Sequence, residues 1–151
     1  MPAHHIAQFN IARMIAPIND PVMADFVAQL VPVNELADQT PGFVWRLQTD
    51  SGDATSLKVY DDEMIIVNLT VWESVEALRE FVYKKQHYGV LRDRKRWFEK
   101  FEGRYYALWW IPAGHLPRVE EGKERLDRLR QHGDSAYAFS FKHIFPEPVA
   151  E

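Results

Sequence analysis

The stretch that decides the fold is YYALWWIPAGH, residues 105–115, in which two tyrosines and two tryptophans lie within six positions. It is short and apolar and lies between Gly103 and Pro117, which predicts a buried β-strand rather than a helix. We interpret it as the central strand. Because side chains alternate along a strand, Trp109 and Trp110 point to opposite faces. Both faces of the sheet must therefore be covered, and we assign Trp109 to a helix-packed core and Trp110 to a pocket or subunit interface.

The same alternation predicts strands over residues 5–13 and 64–72. One face of each strand is largely aliphatic, which indicates that it packs against helices. The opposite faces carry the polar side chains Gln8, Asn10, Asn68 and Thr70. We expect these four side chains to look away from the helices.

Capping signals predict three main helices. Asp20 precedes a proline at the start of the first, and Pro32 is expected to kink or split it. Ser74 caps the second helix and Gly133 ends the last. The remaining predicted elements are a strand over residues 43–48, a hairpin pairing residues 56–60 with 64–72, a helical piece over 90–98 and a closing strand around 139–141.

This order predicts an α+β fold: a ferredoxin-like antiparallel sheet with helices on one face, in a single domain spanning residues 1–151. Such a sheet leaves its other face open. In this chain that face would expose to water the apolar side chains of Ile66, Trp72, Tyr106 and Trp110. We therefore expect a second copy to cover it in a twofold homodimer.

Composition excludes several classes of function. The 151 residues contain no cysteine, which rules out disulfides, thiolate nucleophiles and cysteine-ligated metals. Net charge is −4, so the chain as a whole attracts neither nucleic acid nor an anionic membrane. The N-terminal residues lack a secretory signal pattern, and no apolar run is long enough to span a membrane. These features predict a cytoplasmic protein whose partners are small molecules or other copies of itself.

One basic segment, residues 84–104, holds eight basic and three acidic residues among several aromatics. Basic and aromatic residues together can bind nucleic acid. Here the basic residues alternate with an apolar stripe, which favours the solvated face of a helix. Arg92 alone is expected to turn inward toward an anionic ligand.

Four blocks carry a family resemblance: PGFVWRL (41–47), VNLTVWESVEALREFVY (67–83), residues 87–98 and LWWIPAGH (108–115). With these blocks the chain resembles the domain-of-unknown-function 3291 family, within the dimeric α/β-barrel superfamily that also contains antibiotic biosynthesis monooxygenases. The resemblance implies the fold and a barrel-forming dimer. It transfers no catalytic residue, because no activity is established for the family.

A ligand pocket is predicted on the polar and aromatic side of the sheet. Aromatic walls with a few amide and guanidinium donors suit a small planar ligand. The predicted binding residues are Gln8, Asn10, Arg46, Asn68, Thr70, Trp72, Arg92, Tyr106 and Trp110. The alternative is a dimer core in which these amides bond across strands or to water.

Two histidines are candidates for proton transfer. His87 and His115 each lie at a break in the pattern beside an aromatic block. The alternative is that each is a turn residue that bonds to backbone. No spacing matches a metal, P-loop, dinucleotide or serine-triad motif, so neither a metal nor another cofactor is predicted.

Three functions remain open. The first is a small-molecule enzyme, a cofactor-independent monooxygenase-like protein acting on an aromatic or polyketide-like substrate, with His87 or His115 as base. The second is a dimer that binds a ligand without turnover. The third is a haem protein of the same fold, with one of these histidines as the axial ligand.

Overall fold

The computed structural model describes residues 3–47, 60, 62, 64–86, 94–100 and 103–148. Five strands form one antiparallel sheet, and three helices pack on it. The strands are β1 (His4–Met14), β2 (Phe43–Arg46), β3 (Ile65–Trp72), β4 (Phe98–Glu99) and β5 (Tyr106–Pro112). The helices are α1 (Ala24–Gln39), α2 (Val75–Gln86) and α3 (Val119–His132), and 3-10 turns lie at Pro21–Met23 and Arg94–Arg96.

The central strand is β1, and not the aromatic strand β5. β1 pairs with β3 along one edge and shares its other edge between β5 and β4, while β2 extends the sheet beyond β3. Among the described residues, β5 pairs with β1 and otherwise forms one isolated bridge, between Leu108 and Phe139. The prediction that residues 105–115 form the centre of the sheet is therefore wrong, although the strand itself is confirmed.

Local signals placed most of the helix ends correctly. The Asp20 carboxylate accepts a hydrogen bond from the Val22 amide at 2.9 Å, and the Ser74 hydroxyl accepts one from Ala77 at 3.1 Å. Pro32 lies inside α1, which continues through it. Gly133 ends α3 with φ of +79°, a conformation that glycine adopts without strain.

Two other predictions changed, and a third could not be tested. The helical piece expected over residues 90–98 is a 3-10 turn followed by β4 in the described part, and Phe139 forms only a single bridge where a closing strand was expected. The first arm of the predicted hairpin, residues 56–59, lies outside the described residues.

The α+β class and the antiparallel ferredoxin-like sheet are confirmed. Helices cover both faces of this sheet, however. The aliphatic face, with Phe9, Leu69 and Trp109, packs against Leu126 and Leu129 of α3.

The opposite face, with Ile6, Trp72 and Leu108, packs against α1 and α2 through residues such as Ala37 and Phe81. The expectation that Gln8 and Asn10 look away from the helices is therefore wrong. They look toward α1 and α2.

Candidate functional site

A cavity of about 330 Å³ lies between the polar face of the sheet and helices α1 and α2. Its apolar walls come mainly from the helices: Phe26, Leu30 and Val33 from α1, and Phe81 and Val82 from α2. The volume lies at the lower end of the range for small-molecule sites, which are usually apolar with a few polar groups. This space therefore has the size and wall chemistry of a site for a compact organic ligand.

The cavity exists because the sheet face changes character along its length. At one end Trp72 fills the gap under α2 and stacks on Phe81, with ring centroids 5.0 Å apart. At the other end the register aligns Asn68, Asn10 and Tyr106 in one row across β3, β1 and β5. The asparagines are short and leave space that the large apolar residues fill elsewhere.

A directed chain of hydrogen bonds runs through the cavity floor. The Trp72 indole can only donate, and it donates to the Thr70 hydroxyl at 2.9 Å. The Thr70 hydroxyl donates to Gln8 Oε1 at 3.2 Å. Gln8 Nε2 then donates to Asn10 Oδ1 at 2.9 Å.

The direction of this chain fixes what the cavity offers to a ligand. With its oxygen occupied, Asn10 has its NH₂ group left to donate. Within the described part of the chain, no other side-chain hydrogen bond involves Asn10 or its cross-strand neighbour Asn68. The floor therefore presents amide donors to a ligand oxygen.

Tyr106 adds a further hydroxyl beside this row. Its oxygen accepts a hydrogen bond from the Phe141 backbone N–H at 3.1 Å. Burial raises the pKa of Tyr106 above its ordinary value, so the phenol stays protonated at neutral pH. Tyr106 is thus a neutral hydroxyl at the cavity edge and not a base.

Two cationic side chains complete the described lining. Arg46 on β2 bonds through Nε to the Asp38 carboxylate on α1 at 2.9 Å, and Lys85 comes from the last turn of α2. Among the described lining residues there is no carboxylate. The lining therefore favours neutral or anionic ligands over cations.

The sequence profile of a family described as a domain of unknown function, DUF3291, matches residues 5–151. The chain belongs to this family. No match was found among curated proteins. The family resemblance inferred from the four sequence blocks is therefore confirmed, and the match extends over residues 5–151.

Solved structures offer only distant similarity to this DUF3291 chain. A variant of SnoaB, a cofactor-independent oxygenase from Streptomyces nogalater, is 14% identical with a TM-score of 0.47, covering 76% of this chain and 97% of its own. A protein of unknown function from Nitrosomonas europaea is 12% identical with a TM-score of 0.46, covering 77% and 97%. A protein from Chloroflexus aurantiacus J-10-fl, provisionally named an antibiotic biosynthesis monooxygenase, is 13% identical with a TM-score of 0.41, covering 76% and 98%.

The cavity of the DUF3291 chain brings together six of the nine predicted binding residues: Gln8, Asn10, Arg46, Asn68, Thr70 and Tyr106. Trp72 is fully buried next to the cavity, and its indole donates a hydrogen bond to Thr70 in the cavity floor. Trp110 lies outside the cavity, where its indole donates to the Phe145 carbonyl at 3.0 Å. Arg92 lies outside the described residues. A ligand-binding role for these residues stays a prediction.

His115 lies on the other side of the sheet from the cavity. Its Nε2 is 2.9 Å from one oxygen of Glu121 on α3. The other oxygen of the same carboxylate accepts a hydrogen bond from the buried Trp109 indole at 2.9 Å. His115 thus helps to fix α3 on β5, and this geometry favours the structural interpretation over a base for the cavity. His87 lies outside the described residues.

The described residues do not fit a haem or a metal site. No described histidine lines the cavity, so none can serve there as an axial ligand. No group of three or more histidine, aspartate or glutamate side chains suited to a metal ion occurs among the residues that the structure describes. None of the described helices is both long and apolar enough to cross a membrane.

Sequence reasoning missed the helical walls and one residue near the C-terminus. Phe26, Val33 and Phe81 belong to regular apolar helix stripes, a pattern that shows burial but not which sheet face is covered. Phe141 lines the cavity from the chain after α3, where the three-residue alternation that predicted a closing strand is too short to show which face it joins. Lys85 was read as part of a solvated basic face.

Proposed function

We propose that the protein is a small-molecule enzyme that acts on an aromatic substrate bearing a carbonyl or hydroxyl oxygen, within the cavity between the sheet and helices α1 and α2. One observation carries this proposal: the hydrogen-bond chain from Trp72 ends at Asn10, whose NH₂ group is left to donate inside a largely apolar space. Flat apolar walls would hold the rings, and the donors would hold the oxygen.

The donors would act most strongly on a negatively charged oxygen. Hydrogen bonds in a site of low dielectric constant stabilise an oxyanion far more than they do in water. The Asn10 donor is already oriented, because each member of the chain is fixed by the one before it. An enolate or phenolate form of the substrate is therefore favoured over its neutral form, which lowers the pKa of the bound substrate.

The reaction that best fits such a site is cofactor-independent monooxygenation. An electron-rich enolate or phenolate can itself reduce dioxygen. A methylene group becomes a carbonyl group, one oxygen atom enters the product, and the other leaves as water with the two methylene hydrogens. The protein would contribute orientation, oxyanion stabilisation and exclusion of water.

The described lining contains no histidine, so in this proposal the acidity of the substrate takes the place of a strong base. Substrates with an activated methylene group that is acidic enough to lose a proton to water in this site would react best. This requirement narrows the class to anthrone-like compounds, whose carbanions are delocalised over aromatic rings.

The test is oxygen uptake with anthrone and with a panel of quinols, on the wild-type chain and on two asparagine variants. Asn10→Ala removes the donor at the end of the chain and should lower kcat/KM by about 10²–10³, the cost of one oxyanion-hole donor. Asn34→Ala removes a cavity amide that belongs to helix α1 and takes no part in the chain, and should change the rate much less.

A second function, binding without turnover, is favoured by the lack of a described catalytic base. It predicts saturable binding of the same compounds, monitored by their fluorescence or by thermal stabilisation of the protein, with no oxygen uptake above the uncatalysed rate. Absence of both uptake and binding across the panel would refute the proposed site altogether.

A further inference from the structure

The chain after α3 runs along the sheet as a strap, defined here as residues 139–147. At its start the Phe139 backbone exchanges two hydrogen bonds with β5, of 2.8 and 2.9 Å. Near its end the Phe145 carbonyl accepts a hydrogen bond from Trp110. The Glu147 carboxylate accepts one from the His4 backbone N–H at 2.9 Å. The strap is thus tied at both ends to the sheet.

A polar cluster fixes the strap just before it reaches the cavity. The Ser140 N–H and hydroxyl both donate to Asp134 Oδ1 at 2.9 Å. Arg104 donates to the Ser140 hydroxyl at 3.1 Å and pairs with Asp134 at 3.2 Å. Burial opposes ionisation of Asp134, but hydrogen bonds from Arg104 and Ser140 outweigh it and lower the pKa of that carboxyl. The cluster is therefore charged and fully bonded at neutral pH.

The next residue, Phe141, forms part of the cavity wall. Its ring lies 5.8 Å from the Tyr106 ring, centroid to centroid, and the Arg79 guanidinium lies 5.8 Å from its centroid. Its backbone N–H holds the Tyr106 hydroxyl. Phe141 is therefore held on the strap side by Ser140 and on the cavity side by Tyr106, so the position of this wall is well defined.

We propose that Phe141 is a specificity-determining residue that limits the size of the ring system accepted by the cavity. This inference rests on the proposed function, because it concerns the ligand of the same site. The helical walls and the strand floor belong to regular elements that pack on one another, whereas Phe141 closes the cavity from an irregular segment. Changing this one side chain alters the length of the cavity and leaves the donors of the floor in place.

The probes for the test are three compounds that each carry a single oxygen atom and differ in ring number: the phenols 1-naphthol and 1-hydroxypyrene, and the ketone anthrone. Their dissociation constants are measured on the wild-type chain and on Phe141→Ala, Phe141→Trp and Phe145→Ala. The last variant is a matched control. Phe145 lies on the same strap and packs against Phe139 and His143, outside the cavity lining.

Phe141→Ala should improve the affinity for 1-hydroxypyrene relative to 1-naphthol by about tenfold or more, since even one methylene changes selectivity in an apolar pocket by that factor. Phe141→Trp should shift the ratio the other way and weaken anthrone most. Phe145→Ala should leave the ratios unchanged.

Equal ratios in the wild type and both Phe141 variants would overturn the inference while leaving the proposed function standing. Equal shifts in Phe141→Ala and Phe145→Ala would also overturn it, because they would show a general loosening of the strap. Failure of every probe to bind the wild type would instead overturn the proposed function. Should Phe141→Ala not fold, Phe141→Trp decides the question alone.

Discussion

Thr70→Val tests the hydrogen-bond chain on which the site depends. Valine keeps the shape and the β-branch of threonine, so the packing on β3 is retained and the loss is that of one hydroxyl. The Trp72 indole, which is fully buried, loses its acceptor at 2.9 Å. The Gln8 carbonyl oxygen loses its donor at 3.2 Å. The chain that orients Asn10 therefore loses its first two hydrogen bonds.

The magnitude follows from the buried indole. A buried donor left without an acceptor costs roughly 1–3 kcal/mol. The Gln8 contact is longer and partly accessible, so its loss adds little. We therefore expect the free energy of unfolding of Thr70→Val to fall by about 1–3 kcal/mol. For a chain of this length that loss corresponds to roughly 2–4 °C in Tm per kcal/mol.

The assay is urea unfolding followed by tryptophan fluorescence and by circular dichroism, together with binding of 1-naphthol. Thr70→Ser is the matched control, because it keeps the hydroxyl and removes only a methyl group. Thr70→Val should lose both stability and affinity, and Thr70→Ser should keep most of the affinity. If Thr70→Val binds 1-naphthol as the wild type does, the chain does not orient the ligand donors and the reasoning is refuted.

Three other predictions concern the sheet face covered by α3 and the phenol group of Tyr60. Gly122→Ala should destabilise by roughly 1–3 kcal/mol in urea unfolding, although alanine favours helices, because the added Cβ would lie 2.5 Å from the Phe9 ring. Glu121→Ala should lower the free energy of unfolding more than His115→Ala does. It leaves the buried Trp109 indole without an acceptor, whereas the His115 side chain is 43% exposed. Equal losses would argue against a stabilising role for the contact between Glu121 and Trp109. Tyr60→Phe should not destabilise at pH 7, because the buried Tyr60 hydroxyl has no partner among the described residues. Burial raises the pKa of Tyr60 to about 12, so the wild type should lose stability as pH rises from 10 toward 12. The Tyr60→Phe variant should not show this loss. If it does, Tyr60 is not the group responsible.

The cavity floor could be predicted from sequence because a strand has a period of two. Gln8 and Asn10 on one strand, and Asn68 and Thr70 on another, were placed on one face by alternation alone, and the register of β1 with β3 puts them side by side. The assignment of Trp109 to the core followed from the same rule, and its side chain is fully buried.

The helix placement could not be predicted in this way. An apolar stripe shows that α1 packs on a sheet, but both faces of this sheet carry large apolar residues. The aliphatic face, which seemed the better partner for α1 and α2, is covered by α3 instead. α1 and α2 pack where Trp72 and Ile6 provide apolar contacts, and they span the asparagine row beyond. A sequence pattern therefore indicates which residues are buried, but it does not show that a cavity lies beside them.

Segments without a period were the least predictable. His115 follows the turn that ends β5, and Phe141 belongs to an alternation of only three residues after α3, so the sequence pattern at both positions is too short to place the side chain. Their roles depend on which distant residue they meet: Glu121 on α3 for the histidine, and Tyr106 on β5 for the phenylalanine. His115 is a candidate base because it follows an aromatic block, but its partner Glu121 lies on the face of the sheet opposite the cavity, and a catalytic role for it stays a prediction.

The coverage of both sheet faces also changes the argument about assembly. A dimer was predicted because Ile66 and Trp72 would otherwise face water. Within one chain Trp72 is fully buried and Ile66 is 8% exposed, and the strap covers Trp110. The burial of these side chains therefore needs no second copy. A dimer stays a prediction, and sedimentation at micromolar concentration tests it: a monodisperse monomer would agree with the burial of Trp72 and Ile66 within one chain.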